Sequence, residues 1–300
     1  MRWKSRILVL AAAAAALAAV VAKSSPAAPS GSCPNGQIRF GVEPYEDPAK
    51  LTPAYQTLAK SLQATLGCPV KVQIVQTYTA EVLAMKNNKL DIAEFGPLGF
   101  VFANQLAKAQ PLVSFADSKG KLTTYKAGIW VPKDSSIKSI ADLKGHSLAL
   151  SEPGSTSGDA LPRYAIRKAG MKEKDLKIEY AGGHPESLLA LVNGKVDAAE
   201  INTQQQASAA AEGKFKASDY RQIWSSAPIP NDPITINPKL PASFKASVKK
   251  ALTNMKTADV SKVSTLLGID PPGGLVKVTK ATYKQLFDLA AVLGLTIKDA

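Results

Sequence analysis

Three adjacent hydroxyl residues stand where a strand hands over to a helix. Residues 148–151 (Leu-Ala-Leu-Ser) read as the strand, Glu152-Pro153-Gly154 as the turn, and Ser155-Thr156-Ser157-Gly158 as the opening of the helix. A helix N-terminus carries unpaired N–H groups and a partial positive charge, and neighbouring hydroxyls add donors, so the chemistry of this pattern is the holding of a tetrahedral oxyanion. The helix is supported by Leu161, Ala165, Ile166 and Ala169 at helical spacing, by Pro162 in the first turn, and by Gly170 at the end. The same hydroxyls would also cap a helix that binds nothing. Nucleophilic hydrolysis fits worse. Thr156 stands where the G-x-S-x-G elbow needs serine, and the chain has 2 histidines to serve as base. No His, Asp and Glu cluster has metal-site spacing, so neither a metal nor a cofactor is expected and a secreted phosphoester hydrolase is the weaker alternative.

The elements that position these residues lie in a chain read as exported. Arg2, Lys4 and Arg6 precede an apolar, alanine-dominated run from Ile7 to Ala22, which reads as a signal peptide over 1–22, followed by a linker over 23–32. At about 16 residues the run is shorter than the roughly 20 that span a bilayer. Cys33 lies beyond the end of the run, which disfavours a lipid anchor. Three of the 37 Lys and Arg fall in the leader, and the remainder outnumber the 24 Asp and Glu by ten. Such a charge attracts anions. Nucleic acid is not expected as a partner, because the lysines are scattered and no arginine-rich run interleaves with aromatics. The 2 cysteines, Cys33 and Cys68, each precede a strand candidate, with a helix between. In a β-α-β unit those strands are parallel neighbours, so a structural disulfide is expected, with two buried thiols as the alternative.

After residue 33 short β-like runs alternate with amphipathic helical ones, an α/β pattern. Strands are expected at 38–42, 70–75, 92–95, 127–131, 147–150, 178–180 and 198–201. Helices are expected at 55–66, 79–87, 99–106, 140–143, 161–169, 186–192 and 204–211, and a helical last section at 244–254, 260–267 and 282–293. Two stretches read as crossings between lobes, the polar 119–125 and the proline-rich 224–234. They divide the chain into one lobe of 33–123 plus 228–300 and another of 124–227, with a ligand cleft between them.

Several motifs in order resemble the substrate-binding proteins of phosphate, phosphite and phosphonate ABC transporters, the PhnD-like group of type II periplasmic binding proteins. They are Thr77-Tyr78, the stretch 91–97 (Asp-Ile-Ala-Glu-Phe-Gly-Pro), 141–145 (Ala-Asp-Leu-Lys-Gly), 153–158, Gly182-Gly183-His184, 194–199 (Gly-Lys-Val-Asp-Ala-Ala) and 229–234 (Ile-Pro-Asn-Asp-Pro-Ile). The resemblance implies a two-lobed α/β fold, each lobe a mixed, mostly parallel sheet flanked by helices, joined by a two-crossing hinge. It implies a non-enzymatic periplasmic carrier, acting as a monomer, that delivers a phosphorus oxyanion to an ABC permease. It places the ligand on Ser155, Thr156 and Ser157, with His184 as a further donor and Tyr78, Tyr125, Gly96 and Pro97 lining the cleft. His184 alone, without that context, reads as a turn residue, and His146 matches no motif. Asp232 facing an oxyanion is repulsive unless a proton is shared, so it would accept a hydrogen bond from a protonated ligand or from an ammonium. Members that bind aminoalkylphosphonates carry glutamate where this chain has Gln204. A neutral amide pairs an ammonium less strongly, which favours phosphite, phosphate or a small alkylphosphonate, although Glu200 nearby could substitute. An extracytoplasmic sensing subunit of the same fold is an alternative that sequence does not separate from transport.

Overall fold

The computed structural model describes residues 33–299. The expected signal peptide and linker, 1–22 and 23–32, lie outside the described residues. Among the described residues no helix is long and apolar enough to cross a membrane.

The first run of elements is β1 (Ile38–Val42), α1 (Pro48–Leu66), β2 (Val70–Ile74), α2 (Tyr78–Lys86), β3 (Ile92–Glu94), α3 (Pro97–Ala107) and β4 (Gln110–Asp117). A short β5 (Thr124–Tyr125) leads to β6 (Gly128–Pro132), β7 (Ser147–Leu150), α4 (Leu161–Lys168), β8 (Lys177–Tyr180), α5 (His184–Val192), β9 (Ala198–Glu200), α6 (Thr203–Ala211) and β10 (Tyr220–Ser225). A second short strand, β11 (Ile229–Pro230), leads back to β12 (Ile234–Ile236), α7 (Ala242–Thr253), α8 (Thr257–Leu266), β13 (Pro272–Lys277) and α9 (Lys284–Leu293).

Three sheets result. The first runs β13-β4-β12-β3-β1-β2, the second β10-β6-β9-β7-β8, and β5 pairs with β11 in a small antiparallel ribbon where the chain passes twice between them. Each large sheet is covered on both faces. Phe40, Val42 and Ile92 pack with Leu51, Tyr55, Leu58 and Leu62 of α1, while Ala93, on the opposite face, joins Phe100 and Phe102 of α3 and Leu286 of α9. In the second sheet Ile129, Val131, Leu148 and Leu150 meet Ile166 of α4, and the alternate residues Trp130, Ala149 and Ala199 meet Leu188 and Leu191 of α5. This period-two division is what a strand buried on both sides requires.

The α/β class and its mixed, mostly parallel sheets are as expected. In the first sheet β1 is parallel to β2 and β3, while β12 is antiparallel to β3 and β4, and β13 to β4. In the second, β7 is parallel to β8 and β9, and β6 is antiparallel to β9 and β10. The sheets are therefore mixed, with most strands running one way and β12 and β13 in the first sheet and β6 in the second running the other. The last section is not purely helical, because β13 (PGGLVK) adds an edge strand. A Pro- and Gly-rich segment carries no strand signal, yet an edge position tolerates it. The helix expected from 55 begins at Pro48, where the Asp47 side chain accepts the Ala49 N–H and proline occupies the first turn. The region 140–143 is a 3₁₀ turn, and the helix expected at 161–169 is preceded by one π turn over Thr156–Ala160.

Ile38 of β1 is in register with Val70 of β2, which sets the preceding residues side by side, and Cys33 and Cys68 form a disulfide with Cα atoms 5.7 Å apart.

Candidate functional site

The sheets present their loops to a common cavity. Glu43 and Tyr45 follow β1, Gly96 follows β3, Ser155, Thr156 and Ser157 follow β7, and Asn202 and Gln204 follow β9. Tyr78 and His184 begin α2 and α5, Tyr125 lies in the first crossing, and Asp232 follows β11. Gathering at the carboxyl ends of strands is the crevice geometry of open α/β sheets. The empty volume is about 220 Å³.

Of the residues expected at the site, Ser155, Thr156, Ser157, His184, Tyr78, Tyr125, Gly96, Asp232 and Gln204 line this cavity, and Pro97 does not. Pro97 instead occupies the first turn of α3, where its fixed φ suits a helix start. Glu43, Tyr45 and Asn202 are wall residues that the motifs did not single out. The signal for Glu43 and Tyr45 was positional, since they follow directly on the carboxyl end of β1.

The three hydroxyls are held by donors from the protein itself. Thr156 Oγ1 accepts the Leu98 N–H at 2.9 Å, and Ser157 Oγ accepts Asn202 Nδ2 at 3.1 Å. Ser155 Oγ accepts the Gly158 N–H at 3.2 Å and lies 3.1 Å from His184 Nε2. Occupying an oxygen's lone pairs leaves its O–H as a donor. Gly158 is required by a close approach: a Cβ there would come within 2.7 Å of His184 Cε1 and closer still to Ser151 Oγ.

His184 is aimed from behind. Its Nδ1 lies 2.6 Å from Glu200 Oε1, and both side chains are buried. Burial by itself lowers the imidazole pKa, but the Glu200 charge and hydrogen bond outweigh it and hold His184 above its ordinary value. In the charged form Nδ1–H donates to Glu200 and Nε2–H to Ser155, so the Ser155 proton is turned away from His184. Glu200 thus sits behind His184, while Gln204 reaches the wall and donates from Nε2 to Asn231 Oδ1 at 2.7 Å.

The opposite wall is acidic. Burial, and next the charges of Asp232, Glu94 and Glu81, push the Glu43 carboxyl well above the carboxylate range, and burial followed by Glu94 does the same to Asp232. Burial pushes Glu94 up to about 8. The phenols of Tyr78 and Tyr125 are likewise raised, first by burial and then by charges that include Glu43. Burial and mutual repulsion thus favour the protonated, uncharged forms along this wall.

Comparison with known proteins gives a consistent family. The model of the family described as ABC transporter, phosphonate, periplasmic substrate-binding protein matches residues 40–283. The phosphonates-binding periplasmic protein of Escherichia coli (strain K12) is 28% identical over 240 residues, covering 78% of this chain and 71% of that protein. The phosphate-import protein PhnD of Mycolicibacterium smegmatis is 28% identical over 200 residues, 63% of this chain and 62% of that one. Among solved structures, PhnD1 of Prochlorococcus marinus in complex with methylphosphonate superposes with a TM-score of 0.75 at 20% identity, covering 86% of this chain and 98% of that chain. A binding-protein component of the ABC phosphonate transporter of Pseudomonas aeruginosa gives the same TM-score, 0.75, at 24% identity, over 85% of each chain. At these identities the two structures speak to the fold.

Proposed function

The chain belongs to the family of periplasmic substrate-binding proteins of phosphonate ABC transporters, non-enzymatic components of import, and from that premise we propose that its cavity captures phosphite, phosphate or a small alkylphosphonate and hands it to a membrane permease. The observation that carries this reading is the hydroxyl set: Ser155, Thr156 and Ser157 lie in one cavity wall with their oxygens already serving protein donors, so a ligand oxygen can take over the O–H donors they now share with the phenols of Tyr78 and Tyr125. Tyr78, Tyr125, Gly96, Asp232 and Gln204 complete the wall, and the neutral Gln204 amide favours ligands without an amine. The proposed lobes are 33–123 plus 228–300 and 124–227. The ribbon of β5 and β11 serves as the hinge, and closure removes water from around the ligand. Charge-assisted hydrogen bonds contribute about 1.5–3 kcal/mol each, so a handful suffices for tight capture. We place this activity in the periplasm, after removal of 1–22, with the protein a monomer.

Calorimetric titration with phosphite, phosphate, methylphosphonate and 2-aminoethylphosphonate tests the reading. At least one of the first three is expected to bind, and more tightly than the amine-bearing ligand. Thr156→Ala with Ser157→Ala is expected to weaken binding by about 3–6 kcal/mol, two charge-assisted bonds' worth. Unchanged affinity in that variant would return the segment to a plain helix cap.

A further inference from the structure

Glu43 and Asp232 face the hydroxyls across the cavity, 3% and 2% exposed. Glu43 Oε2 accepts the Gly96 N–H, whereas Asp232 Oδ1 is buried without a hydrogen-bond partner. Neither lysine nor arginine lines the cavity, although the chain has 37 of them. The ionisable groups facing the pair are Glu94 of β3, Glu81 of α2, the phenols of Tyr45, Tyr78, Tyr125 and Tyr283, and His184. Of these only His184 can be cationic, and its charge is already matched by Glu200. An oxyanion in this cavity therefore meets two carboxyls with no free cation to offset it. Two oxygens that can only accept do not bond, so each such contact needs a proton.

Building on the oxyanion reading above, we infer that Glu43 and Asp232 touch the ligand as carboxylic acids, each donating its O–H to a ligand oxygen, so that two protons do what a lysine or arginine would otherwise do. Burial and the surrounding acids already favour the protonated forms, and arrival of an anion favours them further. Because Glu43 Oε2 takes the Gly96 amide, Oε1 is left to carry the proton. Gly96 belongs to the device: a Cβ there would lie 2.8 and 2.9 Å from the two Glu43 oxygens and displace the carboxyl. Asp232, expected from sequence to accept a hydrogen bond, becomes a donor. The opposing arrangement is a ligand with an ammonium group, which would need both carboxyls ionised as acceptors.

The test titrates the purified exported chain with methylphosphonate from pH 5.5 to 9, beside the variant Glu43→Gln/Asp232→Asn, whose amides donate at every pH. The variant is expected to stay within about tenfold of the wild type at pH 6, and the wild type to lose at least about tenfold relative to the variant by pH 9, as the carboxyls ionise and repel the anion. The comparison cancels ionisation of the ligand and of His184. Superimposable pH profiles, or a loss of about a hundredfold in the variant at pH 6, overturn the inference. A second measurement needs no variant. Wild-type protein at pH 7 is expected to bind methylphosphonate at least about tenfold more tightly than 2-aminoethylphosphonate. The reverse preference overturns the carboxylic-acid role and leaves oxyanion capture standing. If neither of these ligands, nor phosphite, nor phosphate binds, the oxyanion reading fails and this inference fails with it.

Discussion

At the scale of single residues, the hydroxyl cluster 155–157 was legible because Ser and Thr at a helix opening have a narrow set of physical uses. Their partners were not. Leu98 and Asn202 lie 58 and 45 residues away from the hydroxyls they serve, and nothing local marks a donor that arrives from another element. Glu200 shows the same limit: sequence left it and Gln204 as rivals for the ligand, and packing put Glu200 behind His184. Its place there makes a prediction. Glu200→Gln removes the charge that keeps His184 protonated, so affinity for the phosphorus ligand should fall about tenfold or more at pH 7, the worth of one charged hydrogen bond. Lowering the pH should restore part of it, because burial then lowers the imidazole pKa and protonation beside the anion needs a more acidic solution. A loss independent of pH in calorimetry would assign Glu200 a purely structural role.

Among the elements, α1 and α6 touch across the opening between the two large sheets. Lys50 of α1 pairs with Glu212, just past α6, and with Glu46 at 3.4 Å, while Ser208 Oγ donates to Glu46 Oε2 at 2.7 Å. The contact joins elements of the two large sheets, and Lys50, Ser208 and Glu212 do not line the cavity, so under the closure proposed above it forms as the lobes come together. Lys50 and Glu212 are each about 30% exposed, and pairs of that kind contribute about 0.2–1 kcal/mol. Glu212→Lys is accordingly expected to speed ligand release by up to about fivefold with little change in capture rate, which stopped-flow fluorescence would resolve; a change confined to the association rate would contradict the role. This contact had no sequence signature, since Lys50 and Glu212 each read as ordinary solvated charges. The strands β4, β12 and β13 were missed for another reason. Prolines at 111, 233, 238 and 272 interrupt or flank them, and their place in the sheet comes from pairing with distant strands.

For the whole molecule, a chain with 37 basic residues hides a site walled by acids. Glu43, Glu81, Glu94 and Asp232 are buried, and both Glu81 oxygens lack a hydrogen-bond partner. Their folded-state pKa values lie above those of the unfolded chain, so the native state holds protons that the unfolded state releases, and stability is lost as pH rises. For Glu94 the window runs from about 4.5 to about 8. The ligand-free protein is thus expected to unfold at lower denaturant concentration at pH 9 than at pH 6, and Glu81→Gln to flatten that slope; equal midpoints at both values would contradict the protonated core. What the sequence by itself determined was local: the alternation of strand and helix, the two cysteines ahead of neighbouring strands, and the hydroxyl turn that opens a helix, each written in consecutive residues whose backbone preferences are short-ranged. Tertiary structure decided which residues face one another. Glu43 and Asp232 are far apart in the chain, and only the return of the chain to the first sheet, where β12 pairs with β3 beside β1, brings their carboxyls to one cavity, where burial turns a pair of repelling anions into a pair of proton donors.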